Sequence, residues 1–346
     1  MIARQSIDDR LRQLSRQVLD GHCLTHSCEP ALCSLVKLLR ECATVRVDPS
    51  RVSVDGETHM TCGLALSPTM AGRCADDLAR TVVFLRGLHD SIAALACAAP
   101  HRPIRVLYAG CGPYALLAIP AMAMLGSDVV RFTLLDIHAP SVASANAVVE
   151  TFGLGPCIDE YALVDACRYR VPADRSPDII LTETMNACLS KEPQVAITLH
   201  LHREAPAAVW VPKAIRVDAF LVDPTVEFAF VNPPTHQVPL DREQDRIFLG
   251  TVFELSVESA ASWSNAGEER LPASPIRIPR TLERRYTPML FTTVTVSDTQ
   301  ILGPYDSGLT IPQHLPFDGS LQGGEVLGFH YRLGEHPGLV CDGVVA

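Results

Sequence analysis

The chain has 346 residues, 47% hydrophobic and 20% charged. That apolar supply suffices for a large core and argues against disorder, and the length suits two or three structural units. A formal net charge of −10 argues against the phosphate backbone of nucleic acid or an anionic membrane surface as the main partner, since like charges repel.

In chain order, Met1-Ile2-Ala3-Arg4-Gln5 is followed by a charged amphipathic pattern, not an apolar leader. No signal peptide is expected, and the expected compartment is the cytoplasm. Residues 6–45 read as helix. Ile7, Leu11, Leu14, Val18 and Leu19 fall at helical spacing, Leu32, Leu35, Val36, Leu38 and Leu39 repeat it, and Gly21 to Pro30 separates the two. Residues 46–67 read as a connector. Ser67-Pro68 marks a helix start, with Ser67 as N-cap and Pro68 at the first helical position, and that helix is expected to run to about Ala98.

A βα alternation follows. Strands are expected at Ile104 to Ala109, Val129 to Asp136, Ile158 to Val164, Asp178 to Thr182, Ala208 to Val211 and Ile215 to Val222. Helices are expected at Tyr114 to Leu125, Ser141 to Phe152 and Gln194 to His202. Such alternation implies an α/β doubly wound, Rossmann-like parallel sheet. The apolar stretch Ala115 to Leu125 is too short to span a bilayer. After residue 225 shorter β-type runs, Arg246 to Val257, Met289 to Val296 and Glu325 to Leu333, alternate with Pro- and Gly-containing turns and read as a C-terminal antiparallel β unit. The expected division is 1–99, a helical region; 100–225, an α/β domain; and 226–346, a β-rich domain.

The twelve cysteines form no Cys-x-x-Cys pair, and Cys23, Cys28 and Cys33 recur every five residues, which is not a usual zinc spacing. They read as small buried hydrophobes in a reducing compartment. His200 and His202 lie two apart on an expected helix and so face apart. No metal is expected. Asn232-Pro233-Pro234 reads as a turn.

Four elements carry chemistry. Val106 to Ala109 is an apolar strand that ends in Gly110-Cys111-Gly112. Glycine lets a backbone approach a ligand closely, and a helix starting at Tyr114 would offer its free N–H groups to a carboxylate. Asp136 closes the second strand 24 positions after Gly112, where an acid can accept from a ribose diol. Asp165-Ala166 closes the third strand, and its carboxylate can accept from an adenine amino group. Asp178 to Glu183 is a fourth strand carrying acids. Each acid alone is as often a cap or strand end, whereas the four in this order point to a nucleoside site.

In these residues the chain resembles the class I S-adenosylmethionine (SAM) dependent methyltransferases over roughly residues 104–222. Leu107 to Gly112 matches the first family motif, Leu135-Asp136 the second, Asp165-Ala166 the third and Asp178 to Glu183 the fourth. The resemblance implies SAM as cosubstrate or sole substrate, held by Ala109, Gly110, Cys111, Gly112, Asp136, Ile137, Asp165, Ala166 and Glu183. Tyr108 stands where family members usually carry an acid, and Tyr114 where they often carry a third glycine. Tyr114 is therefore expected to crowd the methionine end. Glu183 and Glu192, nine apart, are similar to the double-glutamate hairpin of the protein arginine methyltransferases, as is the order of helical part, SAM domain and β domain. The chain has no Thr-His-Trp segment in its C-terminal part and no first helix with two tyrosines, which sets protein arginine apart as acceptor.

The resemblance implies a SAM-dependent transferase. Its expected reaction is methyl transfer to a small metabolite or amino-acid-derived acceptor in bacterial secondary metabolism, with Glu183, Glu192 and Tyr114 as catalytic candidates. The partner expected is a small molecule, with neither nucleic acid nor membrane, and a homodimer stays open. A second reading comes from resemblance to azetidine-2-carboxylate synthases, in which SAM cyclises on itself and methylthioadenosine leaves. A third is a silent SAM-fold subunit that binds a partner.

Overall fold

The computed structural model describes residues 2–21, 25–48, 56–98, 101–229, 242–263 and 269–345; the Asn232-Pro233-Pro234 turn lies outside them. The two N-terminal helices are α1, Ile2–Leu19, and α2, Glu29–Cys42. Leu11, Leu14 and Val18 of α1 and Leu32, Leu35 and Leu39 of α2 are buried together in the main core, as their spacing requires. The expected connector contains a hairpin of β1, Thr58–Met60, and β2, Gly63–Ala65, strands too short for periodicity to reveal.

The Ser67 hydroxyl accepts from Met70 N at 3.3 Å and caps α3, Pro68–Arg73. That helix does not continue to Ala98. Asp77 is extended, and its carboxylate accepts from Arg80 N at 3.1 Å, so a second cap starts α4, Leu78–Ala98. α4 is long and apolar enough to cross a membrane by length and composition. Here Val82, Phe84, Leu85, Leu88 and Ile92 are its contribution to the protein core.

The parallel sheet comprises β3, Ile104–Ala109; β4, Val130–Asp136; β5, Ile158–Leu163; β6, Ile179–Thr182; and β7, Val209–Val211, in the order β5-β4-β3-β6-β7. Its helices are α5, Ile119–Leu125; α6, Ala139–Thr151; and α7, Gln194–Glu204. Side chains alternate across it. Val106, Tyr108, Phe132 and Leu134 pack with α4, α5 and α6, while Leu107, Ala109, Leu135 and Ile180 pack with Ile197 and Leu201 of α7. The sheet is therefore covered on both faces, as a doubly wound fold requires. One expectation fails: α5 starts at Ile119, not Tyr114, because Ala115 takes a left-handed φ of 45° that a helix cannot include.

β8, Ala214–Val222, grouped by sequence with the parallel series, runs antiparallel between β9, Ile247–Ser256, and β12, Thr287–Thr295. Only Pro212 and Lys213 separate β7 from β8, whereas a parallel neighbour needs a crossover of about a dozen residues. The chain instead turns into a second layer. There β10, Arg270–Pro272, and β11, Ile276–Arg277, pair with β15, Val326–Arg332; β13, Ile301–Leu302, and β14, Gln313–His314, pair with β12; and β16, Gly338–Val345, pairs with β15. Phe253 of β9 stacks on Tyr331 of β15, with centroids 4.8 Å apart, which ties the two antiparallel sheets together.

This β unit grips the loop that follows β6. Thr292 Oγ1 accepts from Cys188 N at 2.9 Å, and the Tyr331 hydroxyl donates to Leu189 O at 2.7 Å. Lys191 N donates to Pro337 O at 3.0 Å. Cys188, Leu189 and Lys191 all have positive φ, a conformation held by these external bonds. Tyr331→Phe would leave the buried Leu189 carbonyl without its donor. The expected loss is about 1–3 kcal/mol in urea unfolding; unchanged stability would show that the loop does not depend on this bond.

Candidate functional site

Strand order reverses about β3, and at the carboxyl ends of such strands open α/β sheets bind ligands. A cavity opens there, with about 1120 Å³ of empty space including its mouth. The chain leaves β3 through Gly110, φ 76°, and Gly112, φ 62°, conformations that glycine adopts without strain. A Cβ on Gly110 would lie 2.6 Å from Thr184 Cγ2, so this glycine serves close packing onto the neighbouring strand tip. A Cβ on Gly112 would meet only Ala71 Cβ, at 3.9 Å. There the requirement is the backbone conformation itself.

Asp136 braces this turn. Its Oδ2 accepts from Gly112 N at 3.0 Å and its Oδ1 from His138 N at 2.8 Å. A carboxylate has about four lone-pair sites, so capacity for further donors remains. Asp165 and Ala166 also line the cavity, and Asp165 Oδ1 accepts from Cys167 N at 2.8 Å. Gly110, Cys111, Gly112, Asp136, Ile137, Asp165, Ala166, Glu183, Glu192 and Tyr114 thus share one cavity wall set. Ala109 does not: it is fully buried beside Leu107, Leu135 and Ile180. Asp178 is also apart, at the start of β6, where Arg102 makes a two-pronged pair with it at 2.6 and 2.7 Å.

Glu183 at the tip of β6 pairs with Arg80 from the first turn of α4. The side chains are 6% and 16% exposed, so the pair is buried. The second oxygen of Glu183, Oε1, is buried and has no hydrogen-bond partner among the described residues. Glu192 lines the same cavity. Burial pushes its carboxyl up to about 7 against the opposing pull of the Arg80 guanidinium. The two acids therefore do not present two full negative charges at neutral pH.

Tyr114 lines the cavity. Its hydroxyl packs by Gly72, where a Cβ would lie 3.0 Å from it. Burial pushes its phenol up despite the nearby Arg40 guanidinium. Cys111 is buried and its thiol pushed well up by burial. His200 Nε2 lies 2.7 Å from Tyr169 O, while His202 is buried and its imidazole pushed down by that burial.

Sequence reasoning missed Arg80, His138 and the hairpin. His138 Nε2 is 3.0 Å from Thr58 Oγ1 and its Nδ1 3.5 Å from Asp136 Oδ1. Met60, Leu64 and Ala65 of the hairpin close one side of the cavity. Leu64 N donates to Lys191 O at 2.8 Å, and a Cβ on Gly63 would lie 2.9 Å from that same oxygen; only glycine allows the approach. The available signal for Arg80 was Asp77 three residues before it, a cap hidden inside an otherwise continuous helical pattern.

No protein-family model matches the chain, and no curated protein matches it. Many solved structures are similar, two of them as follows. One is the Trypanosoma brucei PRMT1 enzyme–prozyme heterotetrameric complex with AdoHcy, at 13% identity and TM-score 0.49, covering 76% of this chain and 87% of that one. The other is an open conformation of Arabidopsis thaliana protein arginine methyltransferase 10, at 14% identity and TM-score 0.49, covering 75% and 86%.

The raised Glu192 carboxyl fixes a pH dependence. A carboxyl held above its ordinary 4.5 binds its proton more tightly when folded. Its contribution to stability is full below about pH 4.5 and is lost as pH rises through about 7. Glu192→Gln should therefore flatten the fall in stability across this interval and leave the variant more stable than the parent at pH 8, by about 1–3 kcal/mol. Parallel pH–stability curves for the two proteins would contradict the assignment.

Proposed function

We propose that the chain is a SAM-dependent transferase that methylates a small metabolite or amino-acid-derived acceptor, and that it does so in bacterial secondary metabolism. The observation that carries this reading is the convergence on one cavity of a glycine turn, two strand-end carboxylates and a buried Arg80–Glu183 pair. The residues suit the nucleoside. The Asp136 carboxylate suits ribose hydroxyls, Asp165 an adenine amino group, and the Arg80 guanidinium the carboxylate of a methionine tail. Because α5 begins beyond the turn and is short, Arg80 takes the role that sequence assigned to a helix N-terminus.

When bound, SAM supplies an electrophilic methyl on a sulfonium. The protein aligns a nucleophile behind the S–C bond and excludes water. Glu183, through its Oε1, orients the acceptor. Glu192, with a carboxyl near 7, takes the acceptor's proton, since a general base works best close to ambient pH. The occupied face of Glu183 and the raised Glu192 suit a neutral acceptor better than a guanidinium. Self-cyclisation of SAM would use the same cavity with no acceptor at all.

Purified protein incubated with SAM, alone and with pooled small amines and amino acids, separates these readings by nucleoside product. Acceptor-dependent S-adenosylhomocysteine is the expected product. Methylthioadenosine formed from SAM alone would assign cyclisation, and absence of both products together with absence of SAM binding would overturn the proposal. Asp136→Ala should weaken SAM binding by about 1.5–3 kcal/mol. Glu183→Gln should lower turnover by roughly 10²–10⁴-fold while SAM affinity stays within a few-fold. Full turnover in the Gln variant would remove Glu183 from the reaction.

A further inference from the structure

We propose that Cys62, Cys167 and Asp165 form a zinc site that staples the N-terminal hairpin to the loop after β5 at the edge of the cavity. The donor atoms of these three residues, the two Sγ atoms and a carboxylate oxygen, all lie within 4.8 Å of one another. In a tetrahedral centre with zinc–sulfur bonds of about 2.3 Å, two sulfurs sit roughly 3.8 Å apart, so closure needs shifts of less than about 1 Å per atom. Sequence spacing gave no hint of the group. Cys62 comes from the turn of the β1–β2 hairpin and the other two from a loop about a hundred residues later.

The surroundings suit a thiolate–metal centre. A zinc ion between the two sulfurs would displace both thiol protons to solvent, so affinity rises with pH. Two thiolates, one carboxylate and the dication sum to one negative charge, and Arg168 Nε, 3.7 Å from Asp165 Oδ2, offsets it. Asp165 Oδ1 is already held by Cys167 N at 2.8 Å, which fixes the carboxylate for coordination through its other oxygen. Three protein ligands leave a fourth position open.

The metal-binding claim stands on these three donors alone. It is compatible with the nucleoside reading, because Oδ1 keeps a lone pair for an adenine amino group while Oδ2 meets the metal. The test therefore reads the metal without SAM. Purified full-length protein, stripped with a chelator and reduced, is given zinc chloride and challenged with the chromophoric chelator 4-(2-pyridylazo)resorcinol. One zinc per chain should be withheld, and it should shield Cys62 and Cys167 from iodoacetamide in peptide mass spectra. Cys62→Ser and Cys167→Ser should each weaken retention more than about tenfold. Asp165→Asn should weaken it less and keep the thiolate-to-metal charge-transfer band with cobalt. Thermal melts of all variants verify folding. Wild-type protein that withholds no zinc, or Ser variants that hold it as tightly as the parent, would overturn the proposal, the latter by placing the metal on other cysteines.

Discussion

The interaction on which the cavity depends is the buried ion pair between Arg80 and Glu183. It joins the first turn of the longest helix to the tip of a central strand, across the space a ligand would fill. Removing one partner of such a pair strands a charge in the interior and costs about 3–5 kcal/mol, so both positions are committed once the fold exists. The pair is incomplete by itself, because one Glu183 oxygen has no hydrogen-bond partner among the described residues. A buried acceptor without a donor is the kind of group a ligand satisfies.

Three elements hold that pair in place. Asp77 caps the turn that carries Arg80 and also accepts from Ser307 Oγ at 2.7 Å and Gly308 N at 2.9 Å. The helical layer is thereby aligned to the antiparallel unit. On the other side, Thr292, Tyr331 and Pro337 fix the loop leading to Glu192. The hairpin then leans on the same loop through Leu64 and Gly63. The described residues of the antiparallel unit therefore support the site from outside the cavity wall.

The parts of this architecture that were legible in sequence are those set by local periodicity. The alternating apolar runs of β3, β4 and β6 and the helical stripes of α1 and α2 are local facts. So are the Gly110–Gly112 turn and the acid that closes each strand, which sit where strand ends must be. The illegible parts are long-range. Arg80 belongs to no motif and acquires meaning only when α4 packs over β6. Asp77 lies inside an apolar helical pattern, where its cap is concealed by good helix formers on both sides. The departure of β8 from the parallel sheet was readable in principle, since two residues cannot make a crossover, but composition alone pointed the other way. Cys62 and Cys167 meet only through tertiary folding.

The central claim is that Arg80, poised on Glu183, receives the anionic tail of a SAM-type nucleoside. Calorimetric titration of S-adenosylhomocysteine into wild type and Arg80→Met, with both folds verified by thermal melting, tests it most directly. One molecule should bind per wild-type chain, and the Met variant should bind more than about tenfold more weakly, the loss expected for a charge-assisted hydrogen bond. Equal affinity in the two proteins, or no binding to wild type, would contradict it.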